Sequence, residues 1–185
     1  MSTSVSLMLL TLVGTVLLVV VLIALRRRGT RRKPSGEQPT VARSVVYLVS
    51  GTQLLVMQQA RKGHLRPRLE VPKGKLMRGE TALAAARREC WEESGLRPTA
   101  LHVLTSFHIP QRNGKHRGME TWMAFWGIVP AGTATPFMHR VGGKGRDRGR
   151  MYQYRLVPLE AAVLHPPLDV PLPALRAALA KIVGG

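Results

Sequence analysis

Three glutamates at helical spacing constrain this chain more than any other feature of it. Glu89, Glu92 and Glu93 fall at offsets of 0, 3 and 4, and residues so spaced share one face of a helix. The helix itself is written into the sequence. Ala82, Ala84, Ala85 and Ala86 carry the highest helix propensity available, Glu80 is expected to open the helix, and Gly95 stands where a left-handed C-terminal cap is expected. Three like charges on one face repel, so a multivalent cation among them is the expected compensation. Oxygen-rich sites of this kind suit Mg²⁺ or Mn²⁺.

The glutamates belong to a longer register. Gly74, Glu80, Arg88, Glu89, Glu92, Glu93 and Gly95 follow the spacing G-x5-E-x7-R-E-U-x-E-E-x-G-U, where U is a bulky apolar residue. Cys90 and Leu96 fill the U positions, Cys90 being the less typical. This segment resembles the Nudix box, and the chain is identified as a member of the Nudix hydrolase family. The resemblance implies an α/β fold, an α/β/α sandwich with a mixed sheet. It implies cleavage of a phosphoanhydride in a nucleoside diphosphate linked to another group, with a divalent metal and a water nucleophile. It also makes the backbone carbonyl of Gly74 a metal ligand.

Beside the resemblance, the residues have their own reading. Glu89 and Glu93, on one face, are the expected direct ligands of Mg²⁺ or Mn²⁺, and Glu92 completes the site directly or through water. Arg88 lies four residues before Glu92, so an ion pair between them is expected to hold that carboxylate. Glu80 is expected to orient the loop rather than bind metal. A solvated charged face is the bland alternative, and the complete register disfavours it.

A second constraint lies at the N-terminus. Residues Val5 to Leu25 carry no charge, and at about 1.5 Å per residue they would span roughly 31 Å, the thickness of a hydrocarbon core. Arg26, Arg27, Arg28, Arg31, Arg32 and Lys33 follow, and no Lys or Arg precedes. The positive-inside rule then puts the N-terminus outside and the remainder in the cytoplasm. A cleaved signal peptide fits less well, because a basic n-region and a small-residue cleavage site are both missing. A misassigned start codon would leave a soluble protein beginning near Val41. The expected organisation is a transmembrane helix over 1–25, a basic linker over 26–40 and the Nudix-like domain over 41–185.

Charge sharpens the contrast around the glutamates. The chain holds 28 Lys and Arg against 10 Asp and Glu, a formal net charge of +18. With the juxtamembrane run set aside, the rest still carries about +12. Four of the ten acids, Glu80, Glu89, Glu92 and Glu93, lie in the box. An acidic site in basic surroundings suits a polyanionic substrate, while compositional bias and attraction to anionic lipid are competing sources of the excess. The single Cys90 has no disulfide partner in the chain and is expected in the core behind the helix.

Along the chain, Ala42 to Ser50 and Gln53 to Gln58 read as a strand hairpin. Arg61 to Arg68 reads as a basic loop. Leu101 to Ile109, Thr121 to Val129 and Met151 to Val157 read as further strands, and Ala131 to Arg150 as one long glycine-rich loop. A helical turn from Pro158 to Val163 and an amphipathic helix from Leu172 to Ile182 close the chain. Strands around one helix followed by a late helix fit a mixed sheet packed between helices.

Substrate contacts are expected from cations near the box. Val71-Pro72-Lys73-Gly74-Lys75 is similar to the Pro-Lys-Gly segment of Nudix enzymes acting on dinucleoside polyphosphates, inositol pyrophosphates and capped or triphosphorylated RNA. Lys73 and Lys75, with Arg112, Lys115 and Arg117 and with Lys144 in the glycine-rich loop, are the expected phosphate-binding residues. Members of the family often place a glutamate base in a late loop. Here Arg146 to Leu156 has no Glu, so Asp147 and Glu120 are the downstream candidates, and Glu89 or Glu92 is favoured within the box. Trp91, Trp122, Trp126 and Phe125 are expected in the core, with Trp122 a candidate to stack on a base. His64, His108, His116 and His139 lack zinc-site spacing.

The expected partners are a phosphate-rich small molecule and, through residues 5–25, the membrane. Two rivals stand beside the enzyme. A Nudix-fold sensor would not need the complete Glu89, Glu92, Glu93 and Arg88 set. A nucleic-acid-binding module has net charge in its favour but no recognised motif.

Overall fold

Strands β1 (Val41–Ser50) and β2 (Gln53–Arg61) show why the hydrophobic runs are continuous rather than alternating. Val45, Tyr47 and Val49 of β1 and Leu54 and Val56 of β2 enter one core cluster. Val46, Leu48, Leu55 and Met57 enter another. A strand buried on both faces reads as an unbroken apolar run. The computed structural model describes residues 41–110 and 119–183, so the expected transmembrane helix (1–25) and linker (26–40) lie outside the described residues, as do Arg112, Lys115 and Arg117. Among the described residues no helix is long and apolar enough to cross a membrane.

The remaining elements are β3 (His64–Leu65), β4 (Lys73–Lys75), α1 (Ala82–Ser94), β5 (His102–Pro110), β6 (Met119–Ile128), β7 (Phe137–Arg140), β8 (Met151–Pro158) and α2 (Leu172–Val183), with a 3₁₀ turn at Leu159–Ala161. They form a mixed eight-stranded sheet in the order β5-β6-β1-β2-β8-β7, with β3 on β2 and β4 on β1. β1 runs parallel to β6 and antiparallel to β2 and β4. Ala86 and Cys90 of α1 pack on one face. Leu172 and Leu175 of α2, with Leu159, Leu164 and Leu168, cover the other. The α/β fold with a mixed sheet between helices is as expected.

Four local readings change. Glu80 does not open the helix. Thr81 is the N-cap, its side chain accepting from the Ala84 N–H at 3.2 Å, and the helix starts at Ala82. The Arg61–Arg68 loop contains β3, a continuation of β2 turned back through Lys62 and Gly63. The long loop after Ala131 contains β7, a four-residue edge strand on β8 with only alternate residues half-buried. Trp91 is not in the core: it is 45 % exposed, with the Arg97 guanidinium 4.0 Å from its ring centroid.

Candidate active site

Register brings the site together before any side chain does. β1 pairs Ser44 with Gly74 of β4, and the Ser44 hydroxyl donates to the Ala82 carbonyl at 2.7 Å. The start of α1 is thereby fastened to the strand beside Gly74. A Cβ at Gly74 would overlap the carboxylate of Glu89, so only glycine lets that side chain lie against the strand.

The far end of α1 is held as firmly. Gly95 adopts φ 72° and its N–H reaches the Trp91 carbonyl. The Gly142 N–H donates to the Glu92 carbonyl at 2.8 Å, and the Tyr154 hydroxyl donates to the Glu93 carbonyl at 2.9 Å. Three carbonyls of the last turn thus find partners on three different segments.

Arg88 is the hub of the charged groups. Its Nε donates to Glu80 Oε1 at 2.8 Å and one Nη to Glu80 Oε2 at 2.9 Å, a two-pronged pair. The same Nη donates to the Lys75 carbonyl at 3.0 Å, and the other to Glu89 Oε1 at 2.6 Å. Glu92 is its most distant acidic partner, at 3.5 Å. The expected Arg88–Glu92 tether is therefore the weakest contact of the set, because Glu80 and Glu89 lie closer to the guanidinium. Glu80 also accepts the Met77 N–H at 2.8 Å, which ties the loop after Gly74 to the helix. The Arg88 contact holds its carboxyl below the usual carboxylate range.

Glu93 is 5 % exposed and accepts the Lys73 N–H at 3.0 Å. Burial above all, with Glu89 and Asp147 adding, pushes its pKa up to about 8 against the pull of Lys73. Burial likewise raises Glu89, opposed by Arg88. The repulsion expected on this face is thus met from within the chain, by Arg88 between Glu89 and Glu92 and by the burial of Glu93. Among the described residues no three acidic, histidine or cysteine side chains close on a single point in this arrangement.

The donor set nonetheless fits a hard cation. Every candidate ligand, Glu89, Glu92, Glu93 and the Gly74 carbonyl, is oxygen. Glu89 occupies the space a side chain at Gly74 would fill, and a Cβ at Gly143 would overlap the Glu92 carboxylate. Two glycines thus leave room around two of the three carboxylates.

The other described candidates divide between the two faces of the sheet. Lys73 and Lys75 flank Gly74 on β4, Lys73 half-buried and ion-paired with Glu70, Lys75 exposed. Lys144 is exposed in the segment from Val141 to Arg150, whose Gly142 docks on α1. Asp147 is in that segment too, 2.6 Å from Arg150, and its charge reaches Glu93. Glu120 does not join them. It accepts from Arg43 Nε at 3.3 Å and Trp122 Nε1 at 2.9 Å, and Trp122 belongs to the core on the face away from α1. Trp122 is itself 6 % exposed and covered by Arg43, so it offers no open face to a base. Cys90 is buried against the sheet, its thiol pushed up to about 11 by burial.

An α/β/α sandwich that holds a glutamate-bearing helix against a glycine strand defines a phosphohydrolase architecture of the Nudix type. The NUDIX domain family model matches residues 38–177, and the chain belongs to that family of hydrolases. Solved structures similar to it include a Nudix hydrolase from Nitrosomonas europaea, 18% identical over 76% of this chain and 90% of that one, with a TM-score of 0.52. A MutT Nudix hydrolase from Burkholderia pseudomallei is 20% identical over 75% and 99%, TM-score 0.49. A Bacillus subtilis pyrophosphohydrolase is 17% identical over 79% and 86%, TM-score 0.47. At such identity the likeness to the Nitrosomonas structure speaks for the fold alone. A search of curated proteins finds no match.

Proposed function

We propose that the chain is a Mg²⁺- or Mn²⁺-dependent pyrophosphohydrolase acting on a substrate with several consecutive phosphates, in preference to ADP-ribose or a nucleotide sugar. The observation that carries the reading is the cradle at Gly74, where the Glu89 carboxylate takes the place of a side chain beside buried Glu93. Glu89, Glu92, Glu93 and the Gly74 carbonyl would hold the ion. When bound, it supplies charge neutralisation on the bridging and leaving oxygens and a lowered pKa for the attacking water. Arg88 holds Glu89 in position, and Glu80 keeps Arg88 and the loop together. Glu89 or Glu92 takes the proton from water, Glu93 being fixed by the Lys73 N–H. Lys73, Lys75 and Lys144 supply the cations that meet the phosphate chain.

From sequence alone, residues 5–25 with their arginine flank support a membrane tether with the N-terminus outside and the domain in the cytoplasm.

The test uses the full chain in detergent, with Mg²⁺ or Mn²⁺, against nucleoside triphosphates, dinucleoside polyphosphates, nucleotide sugars and inositol pyrophosphates. Glu89→Gln and Glu93→Gln are the controls. Turnover is expected for the phosphate-rich compounds and a loss of several orders of magnitude in both variants with folding retained. Equal activity in wild type and variants would remove these carboxylates from the mechanism.

A further inference from the structure

Two of the three carboxylates have an anchor of their own. Glu89 accepts from one Nη of Arg88 at 2.6 Å, and Glu93 accepts the Lys73 N–H at 3.0 Å. Among the described residues the Glu92 carboxylate meets no closer cation than Arg88, at 3.5 Å. What holds Glu92 lies on the other side of the helix end, with β7 and the segment that follows it.

β7 is a slight strand with a specific seat. It has four residues at the sheet edge, and Met138 and Arg140 point into solvent. The alternate side chains, Phe137 and His139, are half-buried and share the opposite face. Phe137 lies flat on Tyr154, ring centroids 4.8 Å apart, and the Tyr154 hydroxyl is the one that holds the Glu93 carbonyl. His139, opposite Tyr152 in the ladder, brings its ring Nε2 to 3.3 Å from the Glu92 carbonyl oxygen. A carbonyl oxygen only accepts, so Nε2 carries the hydrogen. The same oxygen accepts the Gly142 N–H at 2.8 Å. Carbonyls in the last turn of a helix have no partner within it, and a histidine near that end is a suitable donor. Here one carbonyl draws two donors from one stretch of chain, and it belongs to the least anchored glutamate.

Two glycines make room for this arrangement. Gly95 caps α1 with φ 72°, which accounts for its backbone but not for the space beside it. A Cβ at Gly95 would stand 2.9 Å from Cε1 and 3.0 Å from Nδ1 of His139, so a side chain there would push the ring away from the carbonyl. Gly143 adopts φ 70°, and a Cβ there would overlap the Glu92 carboxylate. Glu92 is therefore held at both ends, its carbonyl by His139 and Gly142 and its carboxylate against the backbone of Gly143.

We infer that His139 is a positioning residue for Glu92: with Gly142 it locks the last turn of α1 to the β7–β8 pair and so fixes where that carboxylate stands. The inference rests on the hydrolase reading for the use made of Glu92, but the lock itself does not depend on turnover. Arg88 and Glu80 serve Glu89 and the loop, while His139 serves the carboxylate they reach least. Its ring bonds to backbone, so it acts through Glu92.

The full chain in detergent is compared with His139→Ala and with His139→Gln, whose amide can still donate to the carbonyl. Glu92→Gln, alone and combined with His139→Ala, completes the set. His139 is half-buried on an edge strand, so the melting temperature is expected to hold within a few degrees. Mn²⁺ alone is the probe, its binding followed by paramagnetic resonance. His139→Ala should weaken binding about tenfold or more, as removal of a group that orients a ligand does, and His139→Gln should recover most of the loss. In the Glu92→Gln background His139→Ala should add less than about twofold, since the group it positions is gone. On a nucleoside triphosphate at saturating Mg²⁺, His139→Ala should lower kcat about tenfold with KM held within about threefold. In EDTA, the ring-nitrogen resonances of His139 should show the hydrogen on Nε2. Wild-type Mn²⁺ affinity in His139→Ala, a His139→Gln no better than alanine, additive losses in the double variant, or an Nε2 without hydrogen would overturn the inference. The expected Mn²⁺ pattern and Nε2 hydrogen, without hydrolysis of any compound, would instead overturn the hydrolase reading and leave the lock standing.

Discussion

Replacing Gly74 by alanine is the smallest change that separates the carboxylate geometry from the fold. The backbone at Gly74 lies outside the left-handed region, so alanine meets no conformational penalty there. The added methyl would overlap the carboxylate of Glu89 and nothing else within its nearest contacts. Carbon–carbon contact needs roughly 3.5–4.0 Å, so the Glu89 head group has to retreat by an amount on the order of 1–2 Å. Retreat breaks its 2.6 Å bond to Arg88, while the bonds of Arg88 to Glu80 and the Lys75 carbonyl remain. One charge-assisted bond in a partly exposed place is worth about 1–2 kcal/mol. Misplacing a positioned group by about 1 Å costs on the order of 10²-fold in rate. Gly74→Ala should therefore melt only a few degrees early and lose about 10²-fold or more in turnover. Thermal denaturation and phosphate release on the same preparation provide the check. A variant within threefold of wild-type activity would refute the cradle, and one that fails to fold would show that the glycine serves the sheet instead.

Glu93 carries a proton in the folded state up to about pH 8 and loses it near the ordinary carboxylate value when unfolded. The folded state binds more protons across that window, so stability falls as pH rises from about 4.5 to 8 and levels off above. Urea melts in EDTA should show this slope, Glu93→Gln should reduce it to the smaller part that Glu89 contributes, and millimolar Mg²⁺ should flatten it by favouring the ionised form. Arg88→Lys keeps the charge but not the two-pronged contact with Glu80, and should cost about 2 kcal/mol together with most of the activity; wild-type melting would argue against the hub. Tyr154→Phe orphans the Glu93 carbonyl and should cost about 1–3 kcal/mol, measured as a shift in urea midpoint at unchanged slope; no shift would mean that the last turn of α1 does not rely on that hydroxyl.

What the sequence made legible was whatever depends on short range. The alanine run between Glu80 and Gly95 encloses α1 to within two residues, and the apolar runs of β1 and β2 declare strands buried on both faces. What escaped depends on distant partners. β7 spans four residues and draws its ladder from β8, so neither its length nor its composition announces it. Arg88 faces Glu92 by helical spacing, yet Glu80, eight residues earlier, captures its guanidinium because the loop folds back. Glu120 was a fair candidate base until the strand register turned it away from α1 toward Arg43 and Trp122. The exposure of Trp91 was hidden by a sound prior about aromatic residues. The signal available was its helical phase, since Cys90 and Glu93 on either side claim the buried arc.

The segment between β7 and β8 is anchored at its base and open at its tip. Val141 and Arg150 close it, and Gly142 fastens it to the helix, while nearly all residues from 143 to 149 stay in solvent. Insertions or replacements between those stitches can thus be accommodated without disturbing the carboxylates. Divergent members of such a lineage are free to remodel that tip, acquiring new preferences while the hydrolytic core stays constant.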